Sequence, residues 1–362
     1  MSAEFNNELL LLARHYRGMS QAEVAEASGL DQGHYSKIER GILNAPPRVE
    51  SIEAVAKALN FPVSYFLQND ELSGLPLSVH EAAWRKRASV AAADMKRLHA
   101  ELNIRLMHVR RYLQAVDVDG ELPLPKLDPD DMGGAEKVAQ FVRRAWMAPP
   151  GPIKNLTSLC ERAGILVVHC DFVEKIDGVT MRLRDVPPII FLNKSAPPDR
   201  MRHSLAHELG HLIMHTVPSD QMEDEADSFA GELLAPMNEL RSDLIGGRPS
   251  LERFVQLKKF WKVSVASLVY RAKKYGYLTD NQSDYLWRQI SMRGWRKREP
   301  DETQFLAETP SLYQHVIDLH EKDLGFDVND FAKMLHISIN DVRNLYGIAS
   351  GGGPRRHLSL VK

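Results

Sequence analysis

Cysteine is scarce: the 362 residues hold two, Cys160 and Cys170, too few for a disulfide framework or a four-cysteine zinc site. The cores must hold by packing, as in a reducing compartment, and any metal ion has to be sought among His, Asp and Glu. Long apolar runs are missing too. No stretch approaches the roughly 18 uncharged apolar residues of a membrane helix, and the opening MSAEFNNELLLLARHYR lacks the order of basic start, apolar centre and small-residue cleavage site that export needs. A cytoplasmic chain without membrane contact is expected. Solenoid repeats are absent, and net charge nearly so: 46 Lys+Arg against 48 Asp+Glu give −2.

That total hides its distribution. From His80 to about Val116 a helical pattern without Gly or Pro carries eight Lys/Arg against three acids, and reads as a basic connecting helix or a dimer contact. Residues 252–299 carry twelve against four, concentrated in KKFWK, RAKKYG and RGWRKRE. They read either as an aid to DNA or substrate binding or as an accessory helical subdomain packing on the α+β domain, with a solvated basic face. VDVDGELPLPKLDPDDMGG at 116–134 is rich in Asp, Pro and Gly without a period, which suits a linker or exposed loop.

Periodicity completes a five-part reading. Residues 1–76 form an all-α domain closed by the turn Ser73-Gly74-Leu75-Pro76, and 77–134 form the basic helix and linker. Residues 135–240 form an α+β domain, 241–300 a basic helical subdomain, and 301–362 a helical segment with a frayed tail. In the α+β part, helices are expected near Ala135–Trp146, Ile153–Ala163, Arg200–His215 and Asp220–Leu234. Strands are expected at Ile165–Phe172, Gly178–Leu183 and Pro188–Asn193. The fold class is therefore mainly α with a small β-sheet. His169 and Cys170 sit in an alternating strand and read as core.

Within SQAEVAEASGLDQGHYSKIERG (20–41), Ser20 and Glu23 form a capping box. Ala25 permits a close helix crossing, Gly29 supplies the turn, and Asp31 caps a second helix. Leu30, Tyr35 and Ile38 face Val24 and the core, leaving Gln32, Gly33, His34, Lys37 and Arg40 outward. Gln can pair with adenine, Lys can bond guanine or phosphate, and Gly lets the backbone approach, so this face suits a major groove. Gln21, at the start of the first helix, is placed to touch a phosphate. The expected partner is double-stranded operator DNA, bound by a homodimer.

In RMRHSLAHELGHLIMH (200–215), His207 and His211 lie one turn apart on one helical face and can share a Zn²⁺, one per chain. Glu208 between them can act as acid/base. Glu223 is the preferred third ligand, with Glu225 the runner-up, about 200° around the helix from it. His215 lies roughly 12 Å beyond His207 along the axis and is disfavoured. Asp227, one turn after Glu223, can accept the second N–H of His207. His203 and His215 are candidates for oxyanion stabilisation, with packing roles the plainer alternative.

Residues 8–67 resemble the Cro/repressor-type (XRE-family) helix-turn-helix domain, through SQAEVAEASGL and SKIERG. PIIFLNKSAPPDRMRHSLAHELGHLIMH followed by EDEADSFAGELLAP resembles the ImmA/IrrE metallopeptidases, from about Pro152 through Pro236. The second resemblance implies a zincin-like, gluzincin-type fold, with His207, His211 and Glu223 as zinc ligands and Glu208 as catalytic acid/base. It also implies a repressor-type protein substrate, hence a regulator of stress or mobile-element genes. The family's usual Asn after the Glu ligand is Asp227 here. Two alternatives follow from the same likeness: a non-hydrolytic effector sensor, and an antitoxin that represses its own operon.

Overall fold

The computed structural model describes residues 4–70, 72, 91–172, 176–296, 298–300 and 304–348. The predicted turn at 73–76, the first part of the predicted basic helix (80–90) and the tail beyond 348 lie outside the described residues. In chain order the main elements are α1 (Asn7–Arg17), α2 (Gln21–Ser28), α3 (Gln32–Glu39), α4 (Val49–Leu59), α5 (Ala92–Tyr112), α6 (Ala135–Ala145), α7 (Leu156–Arg162), β1 (Leu166–Cys170), β2 (Gly178–Met181), β3 (Ile189–Asn193), α8 (Pro198–Met214), α9 (Met222–Leu234), α10 (Met237–Ile245), α11 (Leu251–Trp261), α12 (Val265–Lys274), α13 (Asp280–Met292), α14 (Leu312–Lys322), α15 (Val328–Leu335) and α16 (Ile339–Tyr346). They form two compact units. The first draws on described residues up to 72, 91–117 and 315–348, the second on 118–314.

Local chemistry sets the helix ends of the first unit. Asn6 caps α1, accepting from the N–H groups of Glu8 and Leu9, and Gly18 ends it at φ 67°. The Ser20/Glu23 capping box is present, α2 ends on Gly29 at φ 69°, and the Asp31 side chain accepts from the His34 N–H. Val24, Ala25, Tyr35 and Ile38 are buried together with Leu9, Leu10, Leu59 and Phe66.

Two sequence readings change in this unit. The basic helix is more than a connecting helix: the whole of 102–109 in α5 is buried. Two of its charges are paired, Arg105 with Glu101 one turn away at 3.0 Å and Arg111 with Asp70 ahead of the helix, so the charge count concealed a core helix. Nor do residues from 315 on form a separate C-terminal segment. Tyr346 Oη lies 2.6 Å from His108 Nδ1 of α5, and Asp341 pairs with Arg17 of α1 at 2.6 Å. The pair α15–α16 repeats the cap pattern of α2–α3 at a constant offset. Asp327 caps one helix, His336 turns the chain at φ 53°, and Ser338 caps the next.

The second unit holds, among the described residues, a three-stranded sheet ordered β1-β3-β2. β1 runs parallel to β3 (Val168 opposite Phe191) and β2 antiparallel to it (Val179 opposite Phe191). Cys160 and Cys170 are buried. Helices α8 and α9 pack closely because Gly210 carries no side chain: a Cβ there would meet the Phe229 ring at 3.0 Å and Ala226 Cα at 3.4 Å.

The Pro/Asp-rich stretch expected to be a linker belongs to this core. Leu122 is buried, its N–H donates to Arg162 O (2.9 Å), and the Leu127 N–H donates to Ile213 O (3.1 Å). The Trp146 indole also donates to Pro123 O. A segment without helical or strand period can still be packed when its leucines lie against the core, as Leu122, Leu124 and Leu127 do, and its backbone finds partners.

The basic 252–299 region packs on the α+β core. Phe254, Trp261, Leu268 and Ile290 share one cluster with Leu209 and Phe229. Lys258, fully buried, bridges Asp199 (2.5 Å) and Glu299 (2.6 Å), and Arg271 pairs with Glu232. Part of the apparent basic surface is therefore interior.

Candidate metal centre and helix-turn-helix

Residues on α8 and α9 converge where the two helices touch. His207 Nε2 and His211 Nε2 are 2.9 Å apart, and each lies 3.6 Å from a carboxylate oxygen of Glu223. One ligand atom from each of the three falls within 4.8 Å of the others. Donors about 2.0–2.1 Å from one tetrahedral zinc stand about 3.3 Å apart, and the three observed separations bracket that value. Two imidazoles and a carboxylate are also a donor set that zinc accepts, so the residues fit the ion.

The remaining atoms of the ligands are held. His207 Nδ1 lies 2.7 Å from Asp227 Oδ1. Burial alone would lower the His207 pKa. The hydrogen bond with Asp227, the Glu223 carboxylate 3.6 Å away and the charge of Glu208 reverse this and raise it to about 10. His211 Nδ1 lies 2.8 Å from His215 Nδ1, and His215 Nε2 lies 3.0 Å from Glu225 Oε2.

Both disfavoured ligand candidates thus sit behind the cluster rather than in it. α8 ends at Met214, and His215 is its extended C-cap at φ −107°, ψ 116°. This lets the His215 ring meet His211 instead of continuing up the axis. His203 stands one turn before His207, ring centroids 6.5 Å apart, and burial lowers its pKa.

Glu208 is buried, and its Oε2 accepts from Thr180 Oγ1 at 2.7 Å. β2 presses against it: a Cβ on Gly178 would lie 2.8 Å from Glu208 Cγ. Sequence reasoning missed Thr180 and Gly178, and a Thr or Gly in a short strand carries no signal of its own.

In the first unit, Gln32, Gly33, His34, Lys37 and Arg40 are all exposed along α3 and its C-cap. Gln21 is half-buried, and one amide N–H donates to Glu39 Oε1 at 2.5 Å. Glu39 also receives Arg14 through two bonds (2.5 and 3.0 Å) and the Tyr35 hydroxyl (3.0 Å). This buried carboxylate ties α1, α2 and α3 into one block, leaving the outer face of α3 for a partner.

A helix-turn-helix unit is thus joined in one chain to a mostly helical unit built around a His-Glu-x-x-His helix, the architecture of a regulator fused to a metallopeptidase-type domain. Residues 14–66 match the family model described as helix-turn-helix, and residues 160–273 match the model of the IrrE N-terminal-like domain. No curated protein matches the chain significantly. No helix among the described residues is long and apolar enough to cross a membrane.

Proposed function

We propose that the chain is a cytoplasmic, dimeric transcription regulator that binds operator DNA through α3 and hydrolyses a repressor-type protein, in trans or itself, in a stress or mobile-element response. The observation that carries the hydrolytic half is the convergence of His207, His211 and Glu223 beside a buried Glu208. Those three residues would hold one zinc ion, and Asp227 would orient His207. When bound, zinc supplies Lewis acidity toward a carbonyl oxygen and acidifies water. Glu208 supplies the base: it takes the proton from the attacking water and passes it to the leaving amine. Thr180 Oγ1, 2.7 Å from Glu208 Oε2, holds that carboxylate in place. A sensor that only binds an effector has no evident need for such a carboxylate, which favours hydrolysis over the sensor and antitoxin readings.

For the DNA half, Gln32, Lys37 and Arg40 offer base-edge and phosphate contacts from an exposed helix whose inner face is fixed by Tyr35, Ile38 and Glu39. The test is incubation of the zinc-loaded chain with repressor-type helix-turn-helix proteins, itself included. Wild type should cut one of them, and Glu208→Gln should retain zinc and DNA binding but not cut. Cleavage by Glu208→Gln at the wild-type rate would refute the mechanism. Wild type that holds zinc and cuts none would favour the sensor reading.

A further inference from the structure

Two residues behind the candidate centre have no part in the reading above. His215 is nearly fully buried at the end of α8, and Glu225 lies in the first turn of α9, its side chain about one-fifth exposed. They stand in line with His211: Nδ1 to Nδ1 at 2.8 Å, then Nε2 to Oε2 at 3.0 Å.

The chemistry fixes the direction of every bond in that line. A histidine that offers its Nε2 lone pair to an ion carries its proton on Nδ1. The His211 Nδ1–H must then donate to His215 Nδ1, which accepts only if His215 carries its own proton on Nε2. That N–H in turn donates to the Glu225 carboxylate, an acceptor without a competing donor role. With His215 neutral, each atom has one role, and those roles leave the His211 Nε2 lone pair toward His207 and Glu223.

We propose that Glu225 and His215 form a positioning relay that holds His211 in its ligand tautomer and orientation, as Asp227 does directly for His207. This rests on the zinc reading given above and adds two residues to it. The two imidazoles are thereby served differently. His207 leans on a half-exposed carboxylate, side chain 52% accessible. His211 leans on a buried imidazole that places its carboxylate one residue further out. Removing such an outer partner commonly weakens metal affinity 10–100-fold.

The experiment measures the zinc dissociation constant by chelator competition on the full chain, together with the unfolding midpoint of the zinc-free protein. His215→Ala should raise the constant 10–100-fold while the zinc-free midpoint stays near wild type. His215→Asn, whose amide oxygen can accept from the His211 Nδ1–H, should recover most of the loss. Glu225→Gln, still an acceptor for the His215 Nε2–H, should stay within about threefold, and Glu225→Ala should not. In ¹⁵N-labelled wild type, His211 Nδ1 should be the protonated nitrogen in the zinc-bound state. Wild type that binds zinc while His215→Ala binds it within twofold would overturn the relay alone. A wild type that binds no zinc would overturn the metal reading and the relay with it. If His215→Asn fails to rescue and the zinc-free midpoint falls in both His215 variants, the residue is structural and the proposal is wrong.

Discussion

Glu39→Gln is the substitution whose cost the structure defines most closely. The wild-type carboxylate accepts four hydrogen bonds, two from Arg14 and one each from Gln21 and Tyr35, and its side chain is 4% exposed. A glutamine keeps one acceptor oxygen and turns an NH₂ group toward donors. It therefore loses two of the four bonds and leaves the largely covered Arg14 guanidinium without a counter-charge. Breaking a buried pair in this way costs about 3–5 kcal/mol. With a urea dependence of about 1–3 kcal/mol/M, the midpoint of the first unit should fall by roughly 2 M.

The assay can isolate that unit. In a Trp84→Phe background the four remaining tryptophans, Trp146, Trp261, Trp287 and Trp295, all lie in the second unit. Far-UV circular dichroism should register the early transition while tryptophan emission should not. Burial pushes the Glu39 pKa up, but its bonds to Arg14 and Gln21 outweigh this and hold it below the ordinary value. Its contribution is therefore present above the unfolded-state pKa and lost as pH falls through the lower folded-state value, where wild type and variant should converge. A double variant, Arg14→Met with Glu39→Met, should lose less than the two single losses added. A midpoint shift below about 0.3 M at neutral pH would refute the reasoning.

Three further outcomes follow from other parts of the molecule. Gly178→Ala places a Cβ 2.8 Å from Glu208 Cγ, and displacing the carboxylate by about 1 Å should lower cleavage roughly 100-fold with zinc content unchanged; cleavage at the wild-type rate would show that Glu208 is not held by β2. Because the His207 pKa is raised to about 10 in the zinc-free protein, zinc must displace a proton, so affinity should rise about tenfold per pH unit from pH 6 to 9, and a flat titration would contradict that electrostatic assignment. Ending the chain at residue 311 removes Phe331, Leu335, Val342 and Tyr346, all buried, at about 1.5–3 kcal/mol each, so the transition of the first unit seen by circular dichroism should disappear; its persistence would mean that α14–α16 are dispensable.

How much of this was legible in the sequence depends on how local the cause is. The caps at Ser20, Gly29 and Asp31 were readable because each acts within three or four residues. The expected bounds of α8, Arg200–His215, differ from the observed Pro198–Met214 by only a residue or two. What stayed hidden depends on distant partners. His215 and Glu225 were legible only as rival ligand candidates, and their line to His211 exists only because α8 stops at Met214 and α9 returns beside it at Gly210. The charge of α5 masked its burial because a count does not see that Arg105 is neutralised by Glu101 one turn away. The 116–134 stretch looked unpackable because composition does not reveal the carbonyls of Arg162 and Ile213 that receive its N–H groups.

The central claim is that His207, His211 and Glu223 form one zinc site served by Glu208, and zinc affinity in four variants of the full chain tests it most directly. Wild type should bind one ion per chain. His207→Ala, His211→Ala and Glu223→Ala should each lose tight binding, while Glu208→Gln should keep it. A wild type without zinc, or a Glu223→Ala variant that binds as wild type does, would contradict the account.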